Sequence, residues 1–192
     1  MKHYKKDKFL LFLFVIAISY ASPAVSESDT SDFVGASLVK EKAISARLIA
    51  QTKKIATPDS DIEFKQIVEL RYSQSDFRYI VPVKENGGEN RGCYIYNFDK
   101  NIQAAQKILL SKLDDAESCE IIAAVFSCNR TKKPTSGIGV LYGKRLGADN
   151  YWFEGSYFSL DQNQSLNEDK NLSSLLTDVK TVSTARKKLA CH

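Results

Sequence analysis

Glu154 is the carboxylate whose neighbours best suit chemistry on a sugar. It lies in an aromatic segment, residues 151–158, with Asp149 before it and Asp161 after it. Glycoside hydrolysis uses two carboxyl groups on opposite sides of the scissile bond, so Glu154 with either aspartate is one hypothetical catalytic pair for a glycan hydrolase. The alternative, which we favour, is that the aromatic residues alternate toward a core and that Glu154 points to water.

Histidine is nearly absent from the chain. The two histidines are His3, near the start, and His192, the last residue. Catalysis by Ser-His-Asp or Cys-His pairs and histidine-ligated metal centres therefore lack their central residue. The missing imidazole weighs against an enzyme without excluding one, because lysine and carboxylate bases remain available, and we predict no metal or other cofactor.

Three glycines precede Lys144 in a spacing that matches a phosphate-binding loop only in part. That loop requires glycine where Ile138 stands and serine or threonine where Arg145 stands. The favoured interpretation is that these glycines relax a strand and let neighbouring backbones approach. They are Gly137, Gly139 and Gly143.

Four cysteines predict a disulfide framework: Cys93, Cys119, Cys128 and Cys191. An even number of cysteines in an exported chain favours two disulfides. Structural zinc sites use closely spaced pairs of ligands, whereas Cys119 and Cys128 have eight residues between them. We therefore predict disulfides and no zinc site.

The first 24 residues have the layout of a cleavable export signal. Four lysines and an apolar run, residues 9–20, precede the small residues Ser22 and Ala24. A membrane-spanning helix needs about 20 apolar residues, and this run is shorter. We predict cleavage near Ala24, with Ser26 as the alternative, and no stable membrane insertion afterwards. A retained signal anchor is the weaker alternative.

Removing this signal changes the charge balance. The whole chain has 27 Lys and Arg against 23 Asp and Glu. Residues 1–24 contain four of the lysines and Asp7, which leaves residues 25–192 with a net charge near +1. We therefore predict no nucleic-acid partner, because binding to nucleic acid needs a concentrated basic face.

A helix and a hairpin are predicted before the first cysteine. From Asp32 to Ile55, apolar residues recur at helical spacing, which predicts an amphipathic N-terminal helix. Residues 62–83 then alternate between apolar and polar types around a turn at residues 73–76, as is typical of a β-hairpin. Pro82 suggests that its strand lies at the edge of the sheet.

The middle of the chain predicts a strand, a crossover helix and a buried strand. Residues 93–98 suit a strand, and Asp99 can cap a helix with apolar positions from Ile102 to Leu113. Residues 121–126 are wholly apolar, which favours a buried strand.

This layout predicts the disulfide pairing. If the two strands are parallel neighbours, Cys93 lies beside Cys119, which leaves Cys128 to pair with Cys191. A bond between Cys119 and Cys128 is disfavoured, because an extended run between them would hold them about 30 Å apart.

A second hairpin and a last helix complete the predicted domain. Residues 138–144 and 151–160 suit strands, and residues 172–189 carry a helical apolar stripe with cations near its end. We predict one α+β domain over residues 25–192, with a largely antiparallel twisted sheet, an N-terminal helix, a central crossover helix and a C-terminal helix, held by two disulfides.

Two surfaces are candidates for binding a partner. The loop of residues 129–137 follows a cysteine, so a disulfide would pre-organise its basic side chains, those of Arg130, Lys132 and Lys133. Trp152 and Tyr157 belong to residue types that are enriched at interaction hot spots. The alternatives are a solvated loop and aromatic residues that pack in the core.

These features together predict a periplasmic or secreted domain that binds a protein partner without catalysis, as an inhibitor, an immunity protein or a secreted effector. Export, disulfides, missing histidine and a constrained basic loop motivate the prediction. The alternatives are the glycan hydrolase described above and a structural component of the cell envelope.

Overall fold

The computed structural model describes residues 35–72, 76–87, 91–112, 117–129, 136–147, 150–160 and 165–191. In these ranges the chain forms ten strands and three short α-helices, and every strand pairing is antiparallel. The predicted α+β class, with largely antiparallel sheet and two disulfides, is confirmed. None of the described helices is long and apolar enough to span a bilayer.

The strands form two sheets, where the sequence predicted a single one. The first sheet contains β1 (Gly35–Leu38), β2 (Ser60–Ile62), β3 (Val68–Arg71), β4 (Phe77–Glu85), β5 (Gly92–Phe98) and β6 (Ala105–Lys112). Its order is β1-β3-β4-β5-β6, with β2 paired to the end of β4. The second sheet contains β7 (Glu117–Asn129), β8 (Ser136–Leu146), β9 (Asn150–Leu160) and β10 (Leu166–Glu168), in the order β10-β9-β8-β7.

The helices are α1 (Lys42–Ile55), α2 (Lys170–Ser173) and α3 (Val182–Leu189). The two sheets face each other across one apolar cluster, α1 packs on the outer face of the first sheet, and α3 packs on the outer face of the second. In β4, for example, Ile80 points between the sheets while Val81 points toward α1. Strands β4 and β5 are therefore buried on both faces, which explains why they are almost continuously apolar.

Both predicted hairpins are present, but the edge position of Pro82 was wrong. Strand β4 lies inside the sheet, and Pro82 pairs with Ile95 of β5. On the other side of Pro82, the backbone carbonyl accepts a hydrogen bond from Glu63 N–H at 3.0 Å. Pro82 lies opposite the gap between the end of β2 and the start of β3. No residue of these two strands therefore needs a hydrogen bond from the N–H group that proline lacks.

The predicted central crossover helix was wrong, because these residues form β6 in a hairpin with β5. Asp99 closes the connection instead of capping a helix: its Oδ1 accepts from Gln103 N–H at 2.8 Å, and its backbone N–H donates to Ala104 O. Ile102 has a positive φ of 60°, which no α-helix allows. The helical spacing in this segment was coincidental, and pairing along β5 decides the structure.

The N-terminal helix is confirmed from Lys42 to Ile55, but its predicted start at Asp32 was too early. Residues 35–38 form β1 and pair with β3, placing Ala36 opposite Leu70. Residues before Gly35 lie outside the described ranges. Strand pairing therefore overrides the helical periodicity at this end.

The prediction of a single C-terminal helix was wrong, because this segment forms two short helices, α2 and α3, with a break between them. The backbone turns at Asp178, whose φ is 59° and whose N–H donates to Phe153 O of β9 at 2.9 Å. Thr181 then caps α3 by accepting from Thr184 N–H. The predicted apolar stripe nevertheless lies in the core, through Leu176, Val179, Ala185 and Leu189.

The predicted disulfide pairing is confirmed, although its reasoning was wrong. Cys93 bonds Cys119, and Cys128 bonds Cys191. Strands β5 and β7 are not parallel neighbours: they belong to different sheets, and Cys93–Cys119 joins the sheets face to face. Both Cys119 and Cys128 lie in the long strand β7, which keeps them apart as expected.

Candidate functional site

The predicted basic loop is anchored at both ends by described residues. Asn129, the last residue of β7, pairs with Ser136, the first residue of β8. Cys128 immediately before it is bonded to Cys191. The basic side chains of the loop lie outside the described residues: Arg130, Lys132 and Lys133.

The C-terminal end of α3 brings a second group of cations to this disulfide. Ala190 adopts the left-handed conformation, with φ 55°, and the Cys191 N–H donates to Arg186 O at 2.9 Å. This closure turns the chain so that Cys191 reaches β7. Lys187 and Lys188 are exposed in the last turn of the helix, where the helix dipole favours positive charge.

The disulfide therefore joins two segments of the same charge. Residues 129–137 and 182–192 contain six Lys and Arg and no Asp or Glu. We call these two segments the basic end. Because residues 25–192 have a net charge near +1, the rest of the domain carries net negative charge. The sequence prediction missed this asymmetry because it used the net charge of the whole domain.

The cations of α3 were not among the predicted binding residues. They are Arg186, Lys187 and Lys188. The sequence did contain the clue, since both segments next to Cys128 and Cys191 lack acidic residues. Its meaning depended on the disulfide pairing, which brings the segments together.

The two aromatic residues predicted to bind differ in exposure. Tyr157 is 1% exposed and packs in the cluster beneath α3, so its burial favours the alternative that its ring belongs to the core. Trp152 is half-buried, and its Nε1–H donates to Glu154 Oε1 at 3.0 Å. The exposed ring of this hairpin is Tyr151, at 47%.

Glu154 is the centre of a polar cluster between the ends of the two sheets. Its Oε2 accepts from the Tyr142 hydroxyl at 3.3 Å, and its Oε1 lies 3.6 Å from Lys144 Nζ. Lys144 Nζ also lies 3.2 Å from Glu117 Oε2 and 5.3 Å from the centre of the Trp152 ring. Burial, with the Glu154 carboxylate adding to it, raises the pKa of Tyr142 above its usual value. The hydroxyl therefore stays protonated and donates to the cluster.

These contacts are typical of a carboxylate with a structural role, and we assign that role to Glu154. Both oxygens of Glu154 accept hydrogen bonds from side chains of the protein itself. The buried ammonium group of Lys144 forms ion pairs with both Glu154 and Glu117. The Glu154 side chain is 31% exposed. Asp149 and Asp161, the predicted catalytic partners, lie outside the described residues. The hydrolase remains an untested alternative that no contact of Glu154 favours.

A metal centre has no ligand set in the described ranges, where no three His, Cys, Asp or Glu side chains converge. Comparison with family models, with curated proteins and with solved structures finds no match to this chain.

Proposed function

We propose that this chain is an exported, non-enzymatic domain that binds an acidic surface of a partner protein through the basic end. The observation that carries the proposal is the Cys128–Cys191 disulfide, which ties together two segments that are rich in Lys and Arg and free of acidic residues. An inhibitor, an immunity protein or a secreted effector would act through such a surface.

Local charge supports an acidic partner. Six like charges in two joined segments create a positive potential that attracts an acidic patch and raises its association rate. The remaining domain is net negative, so it disfavours partners that are negative over a larger area. A compact acidic patch on a protein fits this distribution better than an extended polyanion such as nucleic acid.

Rigidity supports binding as well. The helical end of the surface is fixed by the disulfide and by the closure at Ala190. Asn129 and Ser136 fix both ends of the loop. The helical part of the surface is therefore ordered before it binds, and an ordered surface loses less conformational entropy on association.

Export is supported by two independent features. Disulfides persist in oxidising compartments outside the cytosol, and both disulfides of this chain are intramolecular and leave no free cysteine in the described part. The first 24 residues have the layout of an export signal. N-terminal sequencing of the protein recovered from outside the cytoplasm should begin at Val25, or at Glu27 if the alternative site is used. Recovery of the uncleaved chain in the membrane would contradict export by cleavage.

The binding proposal is tested by capture. Residues 25–192, oxidised and immobilised, are incubated with periplasmic and extracellular fractions, and bound proteins are quantified by mass spectrometry. K132A/K133A should reduce capture of a specific protein about tenfold. The matched control is K53A/K54A, which removes two exposed lysines from the last turn of α1 and should leave capture unchanged.

Two results would overturn the proposal. One is equal capture by K132A/K133A and the wild type. The other is a preference for double-stranded DNA of random sequence over every captured protein at physiological salt.

A further inference from the structure

Glu85 is a fully buried carboxylate on the α1 side of the first sheet. It is 0% exposed, and it stands at the end of β4 opposite Gly92 of β5. Gly92 has no side chain, so Tyr94 and Leu109 pack closely against its backbone. A Cβ at Gly92 would lie 3.0 Å from Tyr94 and 2.9 Å from Leu109. A carboxylate removed from water in this way needs strong partners.

Two donors satisfy the Glu85 carboxylate. The Tyr96 hydroxyl donates to Oε1 at 2.7 Å, and Lys107 Nζ donates to Oε2 at 2.7 Å. Burial, with the Glu85 carboxylate adding to it, raises the pKa of Tyr94 and of Tyr96 above the usual tyrosine value. Both rings therefore stay neutral, and Tyr96 keeps the proton that it donates.

The same ammonium group also lies over aromatic rings. Lys107 Nζ is 4.2 Å from the centre of the Tyr94 ring and 5.8 Å from the centre of the Tyr96 ring. A cation within about 6 Å of a ring centre is attracted by the electrons of the ring face. Lys107 thus places its charge among two rings and one carboxylate, which is the chemistry by which aromatic cages recognise ammonium ligands.

We propose that Glu85, Tyr94 and Tyr96 form a binding site for primary alkylammonium groups and that Lys107 occupies it in cis. The ligand class is a primary amine in its protonated form, such as a small aliphatic amine or the lysine side chain of a partner. The site is separate from the basic end, and it does not depend on the function proposed for that surface.

Geometry selects a primary over a quaternary ammonium. The 2.7 Å distance between Nζ and Oε2 requires an N–H that donates directly to the carboxylate. A quaternary nitrogen carries no N–H, and its methyl groups hold it farther from the oxygen. The site therefore prefers ligands that present an NH₃⁺ group.

Lys107 can leave the site because it belongs to an outer strand. Strand β6 is at the end of the strand order of its sheet, and the Lys107 side chain is 34% exposed. The flexible stem can therefore swing into solvent while the backbone pairing with β5 is kept. An external amine must compete with Lys107, so its apparent affinity falls in proportion to the fraction of open sites.

The test removes the Lys107 ammonium group from the site and supplies an external amine in its place. K107A removes the atoms of the stem beyond Cβ, which correspond to propylammonium. Because the buried Glu85 then lacks its cation, the melting temperature should fall by about 6–20 °C. Propylammonium chloride should restore most of this loss and should bind K107A at least tenfold more tightly than the wild type.

Three comparisons separate binding from a general salt effect. Tetramethylammonium chloride at the same concentration should restore nothing beyond the effect of sodium chloride. E85Q/K107A should lose the response to propylammonium. The matched control K65A removes a lysine that lies 5.9 Å from the Phe64 ring centre, and its stability should not respond to the amine.

A second variant covers the case in which K107A does not fold. K107M keeps the apolar stem and removes only the ammonium, so ammonium chloride itself should stabilise it. The proposal is overturned if K107A gains no more from propylammonium chloride, or K107M no more from ammonium chloride, than from sodium chloride. It is also overturned if tetramethylammonium restores stability equally well, or if E85Q/K107A responds as K107A does.

Discussion

Cys128 and Cys191 join the end of the longest strand to the end of the last helix, with 4.9 Å between their Cα atoms. Helix α3 has only eight residues, and an isolated helix of that length is unstable in water. The disulfide and the apolar contacts of Ala185 and Leu189 therefore hold it on the second sheet. They also hold Lys187 and Lys188, in its last turn, near the end of β7.

Removal of this disulfide should loosen α3 before the sheets. We expect C128A/C191A to lower the free energy of unfolding by about 2–5 kcal/mol, measured by urea denaturation under two-state conditions. Hydrogen exchange in residues 182–189 should rise more than in β4 or β5. C93A/C119A is the control, because it opens the link between the sheets and should leave α3 comparatively protected. Unchanged exchange in α3 of C128A/C191A would show that packing alone holds the helix.

Gly139 should not tolerate a side chain. A Cβ at this position would overlap the ring of Phe126, which crosses the glycine on the outer face of the second sheet. G139A should therefore lower the free energy of unfolding by about 1–3 kcal/mol. F126L/G139A should cost less than the sum of the two single substitutions, because the smaller side chain relieves the overlap. Strict additivity in this cycle would rule out the ring as the cause.

Stability should fall at alkaline pH. Burial raises the pKa of Tyr96 and of Tyr142 above the usual value of 10.0. Above about pH 10 these tyrosines ionise in the unfolded chain while the folded hydroxyls keep their protons, so the unfolded state gains stability. Each such group should lower the free energy of unfolding by about 1.4 kcal/mol per pH unit there.

Denaturant titrations of the wild type and Y142F between pH 8 and 11 check this dependence. Y142F should start less stable, because it loses the hydroxyl contacts to Leu110 O and Glu154, but its stability should fall less steeply above pH 10. Identical slopes for the two proteins would contradict the role of Tyr142.

Strand β6 shows where sequence patterns stop deciding the fold. Residues 102–113 have apolar positions that suit a helix, yet residues 105–112 are a strand because β5 offers a complete backbone ladder. Alternation was also present, since Ile108 and Leu110 contact the cluster between the sheets. Periodicity could not choose between the two patterns, because both faces of this strand are covered in part.

The glycines and the hairpins were predictable because local chemistry determines them. A backbone approaches closely at Gly137, where Phe158 O lies beside the glycine as expected, whereas the close neighbours of Gly139 and Gly143 are the rings of Phe126 and Tyr151. The clusters around Glu85 and Glu154 were not predictable as sites, because they depend on strand register. Tyr96 and Lys107 face each other only because β5 and β6 pair where they do. The asymmetry of charge was predictable, because the predicted pairing of Cys128 with Cys191 already joins two basic segments that lack acidic residues.

The basic end is tested most directly by the association kinetics of the captured partner at several salt concentrations. We expect K187E/K188E to lower the association rate constant by at least tenfold at low ionic strength, with the difference shrinking as salt screens the charges. K53E/K54E changes the net charge equally at the last turn of α1, and its association rate constant should stay within about twofold of the wild type. Equal rate constants for K187E/K188E and K53E/K54E at every salt concentration would contradict the account.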